Sequence, residues 1–456
     1  MNRKQPASTC FSVAILALCI FSTSLDAAGI RRKTDKIPNQ FIVVLKPGVA
    51  DLDALVKVFE GVYGAQVFSK WTTGTKGLGV RGSDRMIELI AQHPLVDFVE
   101  EDARFYISGG QLSPPWHLDR VDQTSLPLDN YFNYCSGAGL GVNVFILDTG
   151  ILANHQEFLN TDGTSRVEAG QDFWEVPRGS TNPCTTPCNP NNGGCVFPPP
   201  GECYDTECLT SGHGTAVASV LGGNVNGFAK RAHMISVRVA GCQGAASTSS
   251  IVSGINYVNA QTHRRPAVVN MSFYREELDP DSGYLDTKVG ELIMNGFTVV
   301  TSANNQNDNA CKTTPARVGG AITVGGTSLR NRPNGPDRRW VDSETVGSNY
   351  GACVDIFAPA WDINSASVLS PNAFRASAKS GTSFSAPLAS AVAAIILEDT
   401  PTYDGLQVWN VMRTLATPDI ISNNYLDVKS QEDSLMTGSP NLMLRFGTTR
   451  CRAVNP

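Results

Sequence analysis

The chain has 456 residues, 41% of them hydrophobic and 17% charged, with a formal net charge of -6. That length accommodates two or three domains and a sizeable core. The mild acidity, with no long basic block, argues against a nucleic-acid surface.

Arg3 and Lys4 precede an apolar run over residues 11–21, and small residues follow up to Ala27-Ala28-Gly29. This is the three-part pattern of a secretory signal peptide, too short to span a membrane as a helix. Residues 1–28 are expected to be removed, and no later segment reads as a membrane span. The destination is therefore the extracellular space or a lumenal or vacuolar compartment. Of the 12 cysteines, Cys10 and Cys19 leave with the leader. The even remainder, in an exported chain, predicts disulfides whose connectivity the sequence does not give.

Next, Phe41-Ile42-Val43-Val44-Leu45 reads as a strand closed by Pro47-Gly48. Leu52, Leu55, Val56 and Phe59 follow at helical spacing, and a second helical pattern covers residues 86–92. Val96 and Phe98, with Ala103 beyond, alternate like a strand that ends in acids. The sum is a small α+β unit of roughly 75 residues, near the lower limit for independent folding. Its size and its place behind a leader suit a removable prosegment. Residues 108–115 are polar and rich in Gly and Pro, as a linker and cleavage region would be. Residues 29–112 are thus the expected prosegment and 113–456 the main domain. Cleavage would leave Ala103-Arg104-Phe105-Tyr106-Ile107 as an exposed strand able to lie in a cleft.

The main domain alternates short apolar strands with helical patterns, the signature of a parallel α/β sheet. Strands are predicted at 142–147, 234–239, 268–271, 298–301 and 322–324. In such sheets chemistry gathers at the carboxyl ends of strands. The first ends in Asp148-Thr149-Gly150. A second Asp-Ser-Gly begins at Asp281 but follows polar loop, so a proton-sharing aspartic pair is excluded. Gly212-His213-Gly214-Thr215 opens a small-residue helix, and its glycines let other groups approach the imidazole. That ring suits a general base. Asn304 follows another strand, where its amide can donate to an oxyanion.

The stretch Ser380-Gly381-Thr382-Ser383 leads through Pro387 into an apolar helix over 388–397. Ser383 then sits among the free amides of a helix N-terminus. Pro387 is expected in the first turn, where no amide donor is required. The order Asp148, His213, Ser383 differs from chymotrypsin-like and α/β-hydrolase orders. In that set Asp148 orients the imidazole and His213 takes the Ser383 proton. Asn304 and the Ser383 amide stabilise the oxyanion, one donor being worth roughly 3 kcal/mol.

These residues resemble the subtilases, in particular the secreted proteinase K-like branch. The resemblance rests on Phe145-Ile146-Leu147-Asp148-Thr149-Gly150-Ile151, Gly212-His213-Gly214-Thr215, Val269-Asn270-Met271-Ser272, Ser380-Gly381-Thr382-Ser383 and the closing Gly438-Ser439-Pro440-Asn441-Leu442. Phe41-Ile42-Val43-Val44-Leu45 and Val99-Glu100-Glu101-Asp102 are similar to the family's inhibitor prosegment. The resemblance implies a subtilisin-like three-layer α/β fold around a parallel sheet, preceded by a ferredoxin-like α+β prosegment. It implies a monomeric serine endopeptidase acting on proteins or peptides through an acyl-enzyme. Such an enzyme is made as a self-processing zymogen whose prosegment acts as an intramolecular inhibitor. Gly244, Ala245 and Ala246 match the edge segment that pairs with extended substrate. Ser272, Phe273 and Tyr274 match one wall of the specificity pocket. No cofactor is required for the chemistry. Asp355, with carbonyls of Gly319 and Ala321, matches a structural calcium site.

Three positions depart from the family pattern: Tyr274 and Ala303 stand for glycines, and Phe384 for methionine. The largest departure is a Cys-rich insertion at 184–208, which reads as a disulfide-stapled loop rather than a zinc site. The rival reading is a catalytically silent scaffold that binds partners through this insertion. Asn270-Met271-Ser272 is a glycosylation sequon by pattern, but it lies in a predicted core strand and is expected to carry no glycan.

Overall fold

A computed structural model of the chain describes residues 29–32, 36–103, 109–135, 137–174, 212–241, 244–276, 283–329, 336–369, 377–422 and 438–447. The leader, residues 104–107, the 184–208 insertion and Asp281 lie outside the described residues. The chain divides into two compact units, Met1–Phe105 and Tyr106–Pro456.

In the first unit, β1 (Lys36–Leu45) buries Phe41, Val43 and Leu45, the period-two pattern of a strand with one face inward. Helix α1 (Leu52–Gly61) is capped by Asp51, whose carboxylate accepts from the Ala54 N–H at 2.9 Å, and turns Leu52, Leu55 and Phe59 to the core. β2 (Gln66–Trp71), β3 (Gly77–Arg81), α2 (Asp84–Ala91) and β4 (Val96–Ala103) complete a βαββαβ succession. These four strands lie in the order β4-β1-β3-β2 with antiparallel neighbours, and Ile30–Arg31 adds a short parallel edge strand beside β4.

One detail differs from the sequence pattern. Among the described side chains of β4, Val96, Val99 and Glu101 are buried, whereas Phe98 is only half-buried. The β1 pairing shifts register between Val44 and Leu45, and that irregularity re-aims the following side chains. Phe98 instead lies under the Arg31 guanidinium, 3.4 Å from its ring centroid.

The second unit opens with β5 (Gly109–Leu112), α3 (Trp116–Asp122) and β6 (Tyr131–Tyr134), β5 pairing antiparallel with β6. Its central sheet is built from β7 (Asn143–Asp148), β8 (Val167–Asp172), β9 (His233–Arg238), β10 (Ala267–Met271), β11 (Thr298–Ser302), β12 (Ile322–Ser328) and β13 (Ile356–Pro359). These run parallel in the order β8-β9-β7-β10-β11-β12-β13. All five predicted strands are present, each with ends within a few residues of expectation.

Alternation along each strand splits the core in two. Val144, Ile146, Val268, Val300, Val324 and Ile356 face one layer with α4 (His213–Gly222), α7 (Thr382–Asp399) and α8 (Gly405–Leu415). Phe145, Leu147, Ile235, Val237, Val269 and Val299 face the other, with α5 (Thr248–Asn259) and α6 (Tyr284–Met294). A parallel sheet covered on both faces is the expected solution for strands apolar on both sides. Chain order reverses direction across the sheet at β7, so a crevice opens at the carboxyl ends of β7 and β10.

Cys311 and Cys353, 42 residues apart in sequence, form a disulfide that ties the segment after β11 to the turn before β13. Cys135 is also disulfide-bonded. Closing a loop of that size contributes about 2–4 kcal/mol. Replacing both Cys311 and Cys353 by Ser is expected to lower the calorimetric midpoint by roughly 5–10 °C. An unchanged midpoint would show that the bond contributes little.

Candidate active site

Asp148 closes β7 and is 5% exposed. Its Oδ1 lies 2.7 Å from His213 Nδ1 and accepts from the Thr149 N–H at 2.8 Å. Its Oδ2 is buried without a hydrogen-bond partner among the described residues. A carboxylate only accepts, so Nδ1 carries a proton, and in the neutral ring Nε2 keeps its lone pair, the form a general base requires.

His213 is the first residue of α4, after Gly212 at φ 54 in the left-handed region. Packing explains the glycine that follows: a Cβ on Gly214 would collide with the Gly150 carbonyl and lie 3.2 Å from the Asp148 side chain. The Gly214 N–H donates to Thr149 Oγ1 at 3.0 Å, which joins the start of α4 to the end of β7. Phe384 lies with its ring centroid 5.9 Å from that of the imidazole.

Ser383 is the second residue of α7, after Gly381. Its Oγ donates to the Ser272 carbonyl at 3.2 Å. Pro387 is not in the first turn, contrary to expectation, but six residues into the helix. There it withholds the N–H that would reach the Ser383 carbonyl four residues back. That carbonyl accepts instead from Ser272 Oγ at 3.0 Å.

Asn304 follows β11 at φ 84, a left-handed conformation that Asn tolerates better than most residues. It is 1% exposed. Its N–H donates to Thr382 Oγ1 at 3.1 Å, and its Nδ2 donates to Gln306 Oε1. Asn305 Oδ1 accepts from the Thr382 N–H and Oγ1 at 2.8 Å each. The loop after β11 is thereby pinned to the start of α7. Ala303 is buried, is not among the positive-φ residues, and donates its N–H to the Val324 carbonyl. Glycine is not demanded there.

Asp148, His213, Ser383 and Asn304 line one cleft of about 370 Å³, shared with Gly244, Ser272, Phe273 and Tyr274. Tyr274 is 46% exposed on its wall. Ala245 and Ala246 are exposed neighbours of Gly244 that do not line it. The Gly241 N–H donates to the Ala245 carbonyl, and Ala246 bridges Ala240. Sequence reasoning missed Thr149, Asn305, Gln306 and Thr382; the signal was their adjacency to residues it did single out.

Asp355 lies outside the cleft, just before β13. Its Oδ2 accepts from the Thr323 N–H at 2.8 Å. Burial pushes its carboxyl up to about 6, against the opposing effect of that N–H. Among the described residues no group of three or more His, Cys, Asp or Glu is placed to hold a metal ion. No helix among them is long and apolar enough to cross a membrane. Asn270 is fully buried, as expected for a core strand.

The subtilase family matches residues 139–442. An extracellular serine proteinase of Thermus sp. (strain Rt41A) is 34% identical over 409 residues, spanning 85% of this chain and 87% of that protein. A cuticle-degrading serine protease of Arthrobotrys oligospora is 28% identical over 406 residues, spanning 84% of this chain and 88% of that protein. Among solved structures, a cold adapted subtilisin-like serine proteinase is similar with a TM-score of 0.56 and 31% identity, covering 73% of this chain and 98% of that one. The chain belongs to the subtilase family and is a serine-type endopeptidase.

Gly214→Ala would push the imidazole off the Asp148 carboxylate, and a displacement near 1 Å costs about 100-fold in rate. The expected result is that loss in kcat on a chromogenic peptide amide, with the circular dichroism of the wild type. Activity within twofold of wild type would show that the close approach at Gly214 is dispensable.

Proposed function

We propose that Asp148, His213 and Ser383 form the catalytic triad of a secreted endopeptidase of the proteinase K-like branch, synthesised as a zymogen. The observation that carries the reading is the 2.7 Å contact of His213 Nδ1 with the buried Asp148 carboxylate, in the cleft that also holds Ser383. In the reaction, Ser383 Oγ swings from the Ser272 carbonyl to attack the scissile carbon while His213 Nε2 takes its proton. Asp148 stabilises the imidazolium without accepting the proton itself. The Asn304 amide and the Ser383 N–H receive the oxyanion, the second aided by the positive end of the α7 dipole. His213 then protonates the leaving amine, and water repeats the sequence on the acyl-enzyme. Gly244 offers backbone to an extended chain, with Ala245 and Ala246 continuing that edge. Ser272, Phe273 and Tyr274 form the facing wall.

The unit before the peptidase is read as a ferredoxin-like inhibitor prosegment, supported by its βαββαβ succession and strand order. Export follows from the leader at 1–28, and the extracellular relative agrees with it. The enzyme acts as a monomer on proteins or peptides, without nucleic acid. Intact mass of the secreted protein, wild type beside Ser383→Ala, tests the zymogen. The wild type is expected to lose the first unit and to label with a fluorophosphonate probe; the mutant is expected to stay long and dark. A mass fixing the cut before Gly109 would keep β5 on β6, whereas a cut after Leu112 would remove it. If both proteins keep the first unit and neither labels, the silent-scaffold reading replaces this one.

A structural calcium ion suits Asp355, with the Gly319 and Ala321 carbonyls completing an oxygen set. The fit rests on a carboxylate that burial disfavours as an anion and whose Oδ1 makes no hydrogen bond among the described residues. A bound cation would favour the ionised form. Millimolar calcium is expected to raise the melting temperature, a chelator to lower it, and Asp355→Asn to abolish the difference. A calcium response that survives Asp355→Asn would place the ion elsewhere.

A further inference from the structure

We propose that Asn270 and Ser272 are positioning residues for the Ser383 nucleophile, holding its main chain from β10 in place of the helix bond that Pro387 withholds. The proposal rests on reading Ser383 as the nucleophile. With an ordinary residue at 387, the Ser383 carbonyl would be tied along the α7 axis and the Ser383 backbone would follow the helix. Proline removes that bond, and the carbonyl turns to Ser272 Oγ at 3.0 Å.

A serine hydroxyl has one proton to give, and its direction is otherwise free. Here it is fixed from behind. Asn270 Nδ2 donates to Ser272 Oγ at 3.0 Å, which leaves the hydroxyl proton to the Ser383 carbonyl. Asn270 is itself held, because its Oδ1 accepts from Ser390 Oγ at 3.0 Å, further along the same helix. Asn270 and Ser390 are fully buried and Ser272 is 4% exposed, so the bonds made by Asn270 are shielded from bulk solvent. Donors aligned this way strengthen one another in a low-dielectric interior.

The chain of bonds ends on the ψ torsion of Ser383, which sets where its Cα–Cβ bond points. Ser383 Oγ returns a bond to the Ser272 carbonyl, so the two serines clamp each other through side chain and main chain. Register gives the clamp its purpose. Met271, next to Ser272, pairs with Leu147, next to Asp148. The nucleophile and the carboxylate are thus indexed to adjacent strands rather than to two independent helices.

The test is a mutant cycle read per folded molecule, with labelling by a fluorophosphonate probe counting active sites. Ser272→Ala is expected to lower kcat about tenfold with KM changed less than twofold, since the reach of the substrate to the main chain is untouched. Ser272→Thr keeps the hydroxyl and is expected to lose clearly less kcat than Ser272→Ala. The diagnostic arm is Pro387→Ala, which returns a helix N–H to the same carbonyl. In that background Ser272→Ala is expected to cost less than threefold. Asn270→Ala should follow the same pattern and serves if Ser272→Ala fails to fold. A full kcat in Ser272→Ala, or a tenfold loss that persists in the Pro387→Ala background, overturns the proposal. Ser383→Ala separates the premise: activity surviving that change sinks the nucleophile reading itself, whatever Ser272 does.

Discussion

Pro387 withholds a backbone donor from the Ser383 carbonyl, and Ser272 Oγ supplies one from the neighbouring strand at 3.0 Å. Around that exchange the first turn of α7 is fastened by the sheet. Thr382 bonds Asn305 with both its N–H and its hydroxyl, and Asn304 bonds back to Thr382. The rest of α7 is almost wholly buried, packed on β10, β11, β12 and β13 and on α4. Its many alanines allow that approach. A helix so enclosed gives its N-terminus little freedom, and the free amides of its first turn stay aimed at one place.

The same logic governs the other partners. Asp148, Ser272 and Asn304 each stand at or just past the carboxyl end of a parallel strand, where main-chain bonding has stopped and side chains face the crevice. Hydrogen bonds then fix each in turn, from Thr149 to Asp148 and from Asn304 to Gln306. Little of this geometry depends on flexible side chains. Most of the fixing atoms belong to main chain or to Ser, Thr and Asn, whose few rotamers are cheap to order.

Much of this was legible beforehand, for definite reasons. A buried parallel strand must be apolar on both faces, so residues 142–147 stood out, and the abrupt Asp148 marked the strand end. Gly212-His213-Gly214 announced a crowded imidazole, and the Gly150 contact shows the crowding. What could not be read depended on exact element starts or long-range register. The role of Pro387 turns on whether α7 begins at Thr382 or a turn later. The Thr382–Asn305 bond joins residues 77 apart, which no local pattern encodes. The irregular pairing of β4 broke the simple alternation that made Phe98 look internal. An even cysteine count left pairing open, and only proximity in the fold joined Cys311 to Cys353.

The order of these elements along the chain also bears on biosynthesis. Strands β7, β10, β11 and β12 are synthesised well before α7, yet α7 fills the core against one of their faces. Pairings between distant parallel strands form slowly, and a chain emerging N-terminus first must hold that apolar face uncovered until residue 397 has been made. Ser383 arrives with the helix that covers much of that face, and Val408, Met412, Leu444 and Phe446 join the same core later. An incomplete translation product therefore exposes that face and lacks Ser383, and the cleft lined by Asp148, His213 and Ser383 is assembled only when α7 docks.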